Sequence, residues 1–479
     1  LQKRLAKVGR MLLVLCVGVV AVVAVSGLMR GTPPLEVLMS AVSLAVAAVP
    51  EGLAAIVTIA LAIGVQRMVA QHVLIRRLPA VETLGCATVI CTDKTGTLTT
   101  GKMRVRDVWA VDRRRALDVA ASCCDAELDA GKTDGTGDPT ELALLVAAAE
   151  VGIERARIER ERPRIDTAPF DAERKRMSVF RATEGGATLY VKGAVDLLLP
   201  LCQDGVEGAV EANAEMASRG LRVLAIAVGG ARDERDLELV GLIGMADPPR
   251  TEAIDAVNLA RSAGIKTVMI TGDHPTTAEA IAREMGIVRA GDDVKALVRA
   301  RATPSDKLAI VRAHKAAGDI VAMTGDGVND APALKEAHIG IAMGKGGTEV
   351  TREAADMILV DDNFASIIAA VREGRGVYDN IQKALVYLLA GNVGELLVMF
   401  LASLVGAPLP LTPLQILWIN LVTDGLPALA LVFDPTDADV LARPPRQPDE
   451  PMLGRAQWMT VLLIGAVDCA VALGVFLWT

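Results

Sequence analysis

Residues 91–99 read CTDKTGTLT, directly follow the apolar run 87–90, and decide the fold prediction. An apolar run this short is typical of a buried strand in a parallel sheet. Asp93 would then stand at the carboxyl end of the strand, where open α/β sheets carry out their chemistry. A carboxylate there can attack a phosphoryl group, and the polar or cationic residues that follow, from Lys94 and Thr95 onward, suit phosphate oxygens. The alternative for an isolated aspartate is a cap on a turn.

The overall composition indicates a membrane protein with a large water-soluble part. The chain has 479 residues, 52% hydrophobic and 23% charged, with a mean hydropathy of +0.39. The net charge of -8, without a basic stripe rich in aromatics, argues against a nucleic-acid partner. The seven cysteines lack metal-ligand spacing and make a disulfide framework improbable. Since the chain begins at Leu1 rather than at a methionine, we expect it to belong to a longer protein.

Apolar stretches near both ends of the chain predict five membrane spans. Each is long enough to cross the hydrocarbon core of a bilayer. They cover residues 11–29, 35–66, 384–405, 411–433 and 457–479. Lysines and arginines precede the first stretch and follow the second, which predicts that these ends and the hydrophilic middle of the chain lie in the cytoplasm.

The second apolar stretch is interrupted at Pro50-Glu51-Gly52. Proline removes a backbone donor and collides with the preceding turn, so the helix is predicted to break. Broken helices at membrane depth are tolerated where they line a cavity, and their freed carbonyls can bind cations. An ionised Glu51 near mid-span would cost at least ~2.5 kcal/mol. We therefore predict a cation site that combines Glu51 with the carbonyls of Val46, Ala47 and Val49. A kinked helix with a neutral glutamate is the alternative.

The third and fourth spans also carry polar residues at mid-span. These are Asn392 and Glu395 in one span, and Asn420, Thr423 and Asp424 in the other, where Gly425 and Pro427 predict a second unwound helix. Carboxylates, amide carbonyls and a hydroxyl are hard oxygen ligands, which suit Ca²⁺ better than a soft transition metal. The alternative is a set of helix-packing polar residues without an ion. Asp468 in the last span has two open roles: pairing with a neighbour or serving the same pathway.

Two further predicted strands in the hydrophilic middle end in reactive residues. Residues 265–270 lead into Thr271-Gly272-Asp273, residues 320–323 lead into TGDGVND (324–330), and Lys307 lies in a predicted helix between them. We assign Asp93 as the nucleophile, Asp93 and Asp326 as Mg²⁺ ligands, and Thr271 and Lys307 as groups that neutralise phosphoryl charge. Asn329 and Asp330 would orient or support them. The set resembles the four-motif pattern of the haloacid-dehalogenase superfamily.

Residues 107–240 are predicted to form an α/β module inserted into this domain. The chain contains no GxxxxGK[ST] loop, so ATP would be held there by stacking and apolar contacts. Phe170 is the candidate to stack on adenine, and the candidates to meet the phosphates are Lys175, Lys192 and Arg222. Glu141 in GDPTE (137–141) and Gly193 in KGA (192–194) complete the predicted nucleotide site. Taken singly, each is more typical of a core aromatic or a surface cation.

From about residue 46 onward the chain resembles the type II P-type ATPases, in particular the sarco/endoplasmic-reticulum-type Ca²⁺ pumps and their bacterial relatives. The motifs that carry the resemblance are PEGL (50–53), LPAVETLG (78–85), DKTGTLT (93–99), KGA (192–194), DPPR (247–250), TGD (271–273), TGDGVNDAPAL (324–334), NVGE (392–395) and NLVTDGLP (420–427). The resemblance implies an α-helical transmembrane bundle with cytosolic α/β domains, namely a Rossmann-like phosphorylation domain of the haloacid-dehalogenase type and an inserted nucleotide-binding domain. The implied parts are two spans (1–78), phosphorylation domain (79–106 and 241–378), nucleotide-binding domain (107–240) and three spans (379–479).

The resemblance also implies site residues and ligands. Thr95 would join Asp93 and Asp326 around Mg²⁺, and the phosphorylation site would include Lys94, Gly272 and Asp273. One Ca²⁺ would bind Glu51, Asn420 and Asp424 with the carbonyls of Val46, Ala47 and Val49, and Asn392, Glu395, Thr423 and again Asp424 would contribute to a second site. The family's second site also takes a ligand from a later span that these residues do not include, so one or two ions are both open. The implied ligands are ATP, Mg²⁺ and transported Ca²⁺, in a multi-pass protein of a bacterial plasma membrane whose large domains are cytoplasmic.

The sequence departs from that family in lacking the TGES loop of its actuator domain and several of its ten spans. We therefore expect an actuator domain elsewhere in the full-length chain, and no complete transport cycle from these residues alone. Mn²⁺, Na⁺ and H⁺ are alternative cargoes. A membrane-tethered phosphatase would leave Glu51, Glu395 and Asp424 unexplained. A degenerate, non-pumping ion-binding protein would have lost a phosphorylation residue, and none is lost.

Overall fold

The computed structural model describes residues 2–48, 52–129, 134–184, 186–230, 233–447 and 450–478, with the backbone alone for residues 2–7. The strands are β1 (Val73–Ile75), β2 (Val89–Asp93), β3 (Arg104–Trp109), β4 (Glu127–Leu128), β5 (Gly135–Thr136), β6 (Arg164–Asp171), β7 (Arg176–Thr183), β8 (Gly186–Ala194), β9 (Cys202–Asp204), β10 (Arg222–Gly229), β11 (Leu237–Ala246), β12 (Lys266–Ile270), β13 (Val298–Arg299), β14 (Val321–Gly325), β15 (Ile339–Met343) and β16 (Met357–Leu359).

Helices make up the rest of the regular structure. They are α1 (Gln2–Met29), α2 (Pro34–Ala47), α3 (Leu53–Ala70), α4 (Pro79–Gly85), α5 (Arg113–Ser122), α6 (Pro139–Glu150), α7 (Arg155–Glu161), α8 (Val195–Leu198), α9 (Ala209–Ser218), α10 (Thr251–Ser262), α11 (Pro275–Glu284), α12 (Val294–Leu297), α13 (Pro304–Ala316), α14 (Ala331–Glu336), α15 (Glu349–Ala354), α16 (Phe364–Val405), α17 (Pro413–Trp418), α18 (Gly425–Val432) and α19 (Arg455–Trp478). Single 3₁₀ turns occupy Leu199–Leu201 and Val328–Asp330, and wider π-type turns occupy Lys94–Leu98 and Ile419–Thr423.

The first sheet has the strand order β1-β16-β15-β14-β2-β12-β13 and is parallel except where β1 meets β16. β2 lies between β14 and β12, parallel to both. Val89, Ile90 and Cys91 are completely buried, which explains why this strand is apolar on both faces. The three strands predicted at 87–90, 265–270 and 320–323 are thus confirmed as neighbours, and their carboxyl ends meet at one edge.

The second sheet is antiparallel along its main path, except that β9 pairs with β11 in parallel, and it is inserted between β2 and β12 along the chain. Its main path is β3-β11-β10-β8-β7-β6, and β9 pairs with β11. β3, the first of these strands along the chain, pairs with β11, the last, from Leu242 opposite Trp109 to Ala246 opposite Arg104. The predicted module boundaries at 107 and 240 therefore fall inside β3 and β11, because the pairing of these two strands extends the sheet beyond both.

Five helices in the described part of the chain are long and apolar enough to cross a membrane: residues 8–29, 53–70, 364–405, 413–432 and 455–478. The second predicted span forms two helices, because α2 ends at Ala47 and α3 begins at Leu53. The fourth is interrupted by the π-type turn Ile419–Thr423, where an unwound helix is predicted. Together with the two sheets, these helices confirm the predicted fold class of membrane helices and α/β domains.

Helix α16 is 42 residues long and belongs to both parts of the molecule. Its first turns pack into the α/β core, where Phe364 and Ile367 share a cluster with Ile90 of β2. Its last half packs closely against α19: a Cβ built on Gly465 would lie 3.0 Å from the carbonyl oxygen of Ala390. The helix ends at Gly406, whose φ of +76° is a left-handed conformation that glycine adopts without strain.

Candidate functional site

Three acidic side chains converge at the edge where β2, β12 and β14 end. Asp93 is the last residue of β2, and Asp326 follows β14 directly. One carboxylate oxygen from each of Asp93, Asp326 and Asp330 lies within 4.8 Å of the others. Oxygen atoms at this spacing match the ligand type that Mg²⁺ prefers. The predicted Mg²⁺ pair Asp93 and Asp326 is therefore brought together, with Asp330 as a third member.

Lys307 places a positive charge between two of these carboxylates. Its Nζ lies 2.5 Å from Oδ2 of Asp93 and 2.8 Å from Oδ1 of Asp330. The lysine is in the first turns of α13, whose start is fixed by a capping box between Thr303 and Asp306. Burial alone would lower the pKa of Lys307, but the charge of Asp93 and the hydrogen bond to Asp330 outweigh it and raise that pKa. Lys307 is therefore a fixed cation at the site.

The backbone around Asp330 holds its carboxylate in place. Oδ2 of Asp330 accepts hydrogen bonds from the amides of Asp326 and Gly327, both at 3.2 Å. A Cβ on Gly325 would lie 2.6 Å from Cβ of Asp330, so only glycine fits there. Burial, together with the charges of Asp93 and Asp330, raises the pKa of Asp326. Asn329 is exposed in the same turn, and its supporting role stays a prediction.

The TGD segment after β12 carries a second ion pair. Nζ of Lys94 lies 2.6 Å from Oδ2 of Asp273, so Lys94 is paired with that carboxylate. Thr271 is buried, and its hydroxyl accepts a hydrogen bond from the amide of Asp273 at 3.1 Å. Gly272 has open space around it, since a Cβ there would meet nothing within 4 Å. The segment thus combines a fixed ion pair with open space at Gly272.

The loop after Asp93 is held by two residues to which the sequence assigned no role. Arg250 donates to the carbonyl oxygens of Thr99 at 3.0 Å and Gly96 at 3.1 Å. Asp247 accepts from the hydroxyls of Thr99 at 2.5 Å and Thr100 at 3.0 Å. Asp247 and Arg250 both belong to the DPPR segment (247–250). Two opposite charges this close together in the sequence were the signal that could have pointed to a structural role. Thr95 lies inside this turn, and its part in Mg²⁺ binding stays a prediction.

In the inserted module, Glu141 and Lys192 form a buried ion pair. Their side chains meet at 2.5 Å, and Glu141 also accepts from the amides of Asp125 at 2.7 Å and Ala126 at 2.8 Å. Nζ of Lys192 also lies 3.5 Å from the Sγ of Cys124, whose pKa is raised to about 11 by burial. Lys192 is therefore engaged within the core of the module, and reaching a phosphate would require this pair to open.

The other predicted nucleotide residues lie at one end of the antiparallel sheet. Asp171 pairs with Arg176, Arg176 with Gly193 and Gly193 with Ala225 across four neighbouring strands. Phe170, Lys175 and Arg222 are exposed near that row. The Phe170 ring is 63% exposed, which leaves it free to stack on a flat ligand. A Cβ on Gly193 would lie 2.5 Å from Cβ of Arg176, so this strand position requires glycine.

The membrane helices gather polar atoms that have no partner within the protein. The described part of the chain has seven buried side-chain nitrogen or oxygen atoms without a hydrogen bond, and five belong to Asn392, Glu395 and Asn420. Asp424 lies beside them: a Cβ on Gly391 would be 2.6 Å from its Oδ2. Buried polar atoms are rarely left unpaired, so this cluster fits a ligand that accepts several oxygens.

The remaining predicted cation ligands have mixed outcomes. Ala47 is fully buried at the end of α2 and Val46 is partly buried. Thr423 is exposed at the end of the π-type turn. Val49 and Glu51 lie outside the described residues, so their part in the predicted site stays a prediction.

Known proteins similar to this chain include hydrolases and cation transporters. Residues 87–338 match the haloacid dehalogenase-like hydrolase family, and residues 408–479 match the C-terminal region of cation transporting ATPases. The chain is similar to the calcium-transporting ATPase 1 of Bacillus cereus, with 44% identity over 94% of this chain and 56% of the relative. It is also similar to the calcium-transporting ATPase of Bacillus subtilis, with 43% identity over 95% of this chain and 59% of the relative.

A third relative is the cation-transporting ATPase pma1 of Synechocystis, with 41% identity over 100% of this chain and 61% of the relative. The chain thus spans 56 to 61% of the length of these three relatives. The hydrolase match covers more than half of the chain and includes all three strand ends of the acidic site. The chain therefore belongs to the haloacid dehalogenase-like hydrolases.

Proposed function

We propose that this protein uses ATP to transport a cation, most readily Ca²⁺, through a phosphorylated Asp93. One observation carries the proposal: the long helix α16 is shared by a phosphoryl-transfer site and by a cluster of unpartnered oxygens. Its first turns share a hydrophobic cluster with Ile90 of β2, the strand that ends in Asp93, and it carries Asn392 and Glu395 near its other end. The names of two relatives, both calcium-transporting ATPases, support Ca²⁺ as the cargo.

The geometry suits an in-line transfer onto Asp93. A carboxylate oxygen of Asp93 forms a bond to the γ-phosphorus while the bond from that phosphorus to the bridging oxygen breaks, and ADP leaves with the electron pair. Lys307, already 2.5 Å from Asp93, is positioned to neutralise charge on the transferring group. Attack of water on the phosphorus later regenerates the carboxylate and releases phosphate.

Mg²⁺ fits the acidic cluster, where Asp93 and Asp326 would hold it and where Thr95 is a further proposed ligand. The ion supplies positive charge that offsets the phosphoryl oxygens. Asp330 serves the site indirectly, because it orients Lys307 and accepts the amides of Asp326 and Gly327. Asn329, Lys94, Thr271, Gly272 and Asp273 complete the proposed site around the incoming phosphate.

ATP is proposed to bind at the sheet end that carries Phe170. Adenine would stack on the exposed ring, and Lys175 and Arg222 would meet the phosphates, with Gly193 allowing close approach. Glu141 and Lys192 would stabilise the core of the module behind this surface through their buried ion pair.

The transported cation is proposed to bind between the broken α2–α3 helix, α16 and the α17–α18 break. Proposed ligands are Val46, Ala47, Val49, Glu51, Asn392, Glu395, Asn420, Thr423 and Asp424. One or two Ca²⁺ ions are proposed to bind, and two ions would share Asp424. Mn²⁺, Na⁺ and H⁺ are the competing cargoes. All are hard cations that oxygen ligands accept.

Coupling between the sites is proposed to run along α16, about 63 Å long at 1.5 Å per residue. Arg375, near the middle of the cytosolic half, is buried and donates to carbonyls in three other segments: Gly85, Ala263, and Val440 with Arg443. A rotation of the phosphorylation domain would therefore be transmitted to α16 and to the segment between α18 and α19.

The proposed setting is a bacterial plasma membrane, with the two α/β domains in the cytoplasm and the membrane helices in contact with lipid. The complete gene product is proposed to carry an actuator domain that promotes hydrolysis of phosphorylated Asp93.

The test is phosphorylation of the complete gene product by γ-³²P-labelled ATP, with and without Ca²⁺. We expect acid-stable, hydroxylamine-sensitive label that requires Ca²⁺ and disappears in Asp93→Asn. Asp319→Asn is the matched control, since Asp319 lies just before β14 and pairs with His314, away from Asp93. Label that responds to Mn²⁺ or Na⁺ but not to Ca²⁺ would change the cargo, and no label under any ion would refute the pump.

A further inference from the structure

Asp468 is a charged residue in the middle of a membrane helix, and the proposed ligand set does not include it. It lies in α19, in which Arg455 is the only other charged residue and stands at the helix start. The side chain is exposed, so in a membrane it would face lipid or a polar cavity. A charge on the lipid side at this depth costs about 2.5 to 3.5 kcal/mol even on insertion-based scales. A charged residue at this depth is by default a candidate for a functional site.

Close packing of two glycines brings Asp468 onto helix α16. A Cβ on Gly465, one turn before Asp468, would lie 2.7 Å from Cγ1 of Val393. A Cβ on Gly394 would lie 3.1 Å from Cβ of Asp468 and 3.7 Å from its Oδ2. The carboxylate of Asp468 therefore lies over the residue that precedes Glu395, and glycines at positions 394 and 465 allow the two helices to approach closely.

Asp424 contacts the same strip of α16 one turn earlier. Its Oδ2 lies 2.6 Å from the Cβ position of Gly391. Positions three residues apart on a helix have their Cβ atoms about 5 to 6 Å apart, which limits the separation of the Asp424 and Asp468 carboxylates to about 12 Å. The two carboxylates thus flank one surface of α16.

A separate observation indicates that this surface receives a ligand. Asn392 and Asn420 are more than nine-tenths buried, at 5% and 3% exposure. The amide nitrogen of Asn392 and both amide atoms of Asn420 have no hydrogen-bond partner. Asn420 lies next to Glu395, and Glu395 lies within reach of the charge of Asp424. Buried polar atoms are rarely left without a partner, and a cation would bind three of these atoms: both carboxylate oxygens of Glu395 and the amide oxygen of Asn420.

We infer that Asp468 is a further carboxylate of the cation site and binds the transported divalent cation from the α19 side of α16. The inference rests on the proposed function, because it assigns an additional ligand to the same cargo. A divalent cation shared between Asp424 and Asp468 offsets the repulsion between them and supplies the missing partner for the neighbouring oxygens. Hard oxygen ligands make Ca²⁺ the favoured ion.

The first test uses the wild-type, complete gene product and an apolar carbodiimide, which modifies carboxyl groups within membranes. The modified residue is located by mass spectrometry, with and without Ca²⁺ and with Mg²⁺ as the control ion. We expect Ca²⁺, but not Mg²⁺, to reduce modification of Asp468 by about tenfold or more, as for a ligand whose oxygens are occupied. Equal modification in all three conditions would overturn the inference.

The second test measures equilibrium binding of ⁴⁵Ca²⁺ without ATP in Asp468→Asn. Affinity for Ca²⁺ depends on the number of charged ligands, so we expect binding to weaken by about tenfold or more. Val467→Asn is the matched control, because it adds the same amide to an exposed neighbouring position of α19. A smaller change in Asp468→Asn, or an equal loss in Val467→Asn, would overturn the inference.

Asp424→Asn separates this inference from the proposed function. If Asp424→Asn weakens Ca²⁺ binding and Asp468→Asn does not, only the role of Asp468 fails. If neither variant changes binding, the proposed cation site fails as well. Where Asp468→Asn does not fold, the carbodiimide measurement on the wild-type protein decides.

Discussion

Lys307 provides the sharpest test of the phosphorylation site. Replacing it in Lys307→Met removes the ammonium group while keeping a side chain of similar length. In the structure this group lies 2.5 Å from Asp93 and 2.8 Å from Asp330, and all three side chains are mostly buried, at 12%, 22% and 5% exposure. The substitution therefore removes a shielded cation from a cluster of three carboxylates.

The magnitude follows from the charges. At an effective dielectric constant of about 20, opposite unit charges about 3 Å apart attract by about 5 to 6 kcal/mol, and two carboxylates about 4.8 Å apart repel by about 3.5 kcal/mol. Only the part of the attraction that acts on the transferring phosphoryl group affects the rate. Loss of one such stabilising donor elsewhere costs about 10² to 10³ in rate, or about 3 to 4 kcal/mol. We expect the same loss here.

The assay is the rate of aspartyl-phosphate formation from ATP, measured at saturating ATP and Mg²⁺. Lys315→Met is the matched control: it removes the same charge from the same helix, but Lys315 bonds to Glu336 at 2.8 Å and not to the acidic cluster. We expect Lys315→Met to label at close to the wild-type rate. A Lys307→Met rate within about threefold of wild type, less than 1 kcal/mol, would refute the assigned role.

Three further predictions concern the other parts of the molecule. Burial raises the pKa of Asp326, so protons should compete with Mg²⁺ for this carboxylate as the pH falls. The Mg²⁺ concentration needed for half-maximal phosphorylation should therefore begin to rise at a higher pH than it would if Asp326 had the usual pKa of an aspartate. An unchanged Mg²⁺ requirement between pH 7.5 and about 5.5 would contradict this prediction. Gly391→Ala should weaken Ca²⁺ binding by about tenfold, because the new Cβ would lie 2.6 Å from Oδ2 of Asp424. Gly474→Ala is the control and should not change binding, because there is open space around Gly474. Equal Ca²⁺ affinities of the two variants would refute the packing argument. Lys192→Met should cost about 3 to 5 kcal/mol of stability by leaving Glu141 as an unpaired buried carboxylate, and adding Glu141→Gln should restore part of the lost melting temperature. Strictly additive effects in that double variant would show that the two side chains do not interact.

Much of the fold follows from local sequence. The apolar runs before Asp93, Thr271 and Thr324 predict the three central strands, because a buried parallel strand needs only a short, uniformly apolar segment. Hydropathy locates the membrane helices, and Pro50 with Gly52 predicts the break between α2 and α3, because these residues act on their own backbone. The sequence of motifs is likewise sufficient to identify the family.

Tertiary structure decides which charges meet. Lys94 is adjacent to Asp93 in sequence but pairs with Asp273, whereas Lys307 reaches Asp93 from 214 residues away. Lys192 is occupied by Glu141, and Arg250 holds the loop that follows Asp93. The sheet register and the helix capping that set these contacts depend on packing between distant segments.

The same division applies in the membrane. The sequence alone identifies Asp468 as an unexpected charge, because a polar residue in an apolar helix stands out locally. Only the packing of Gly465 and Gly394 brings it against α16 and near Asp424. The reason is physical: hydropathy and helix breaking are properties of neighbouring residues, whereas a binding site is made by the distances between helices, which the close contact of glycines sets.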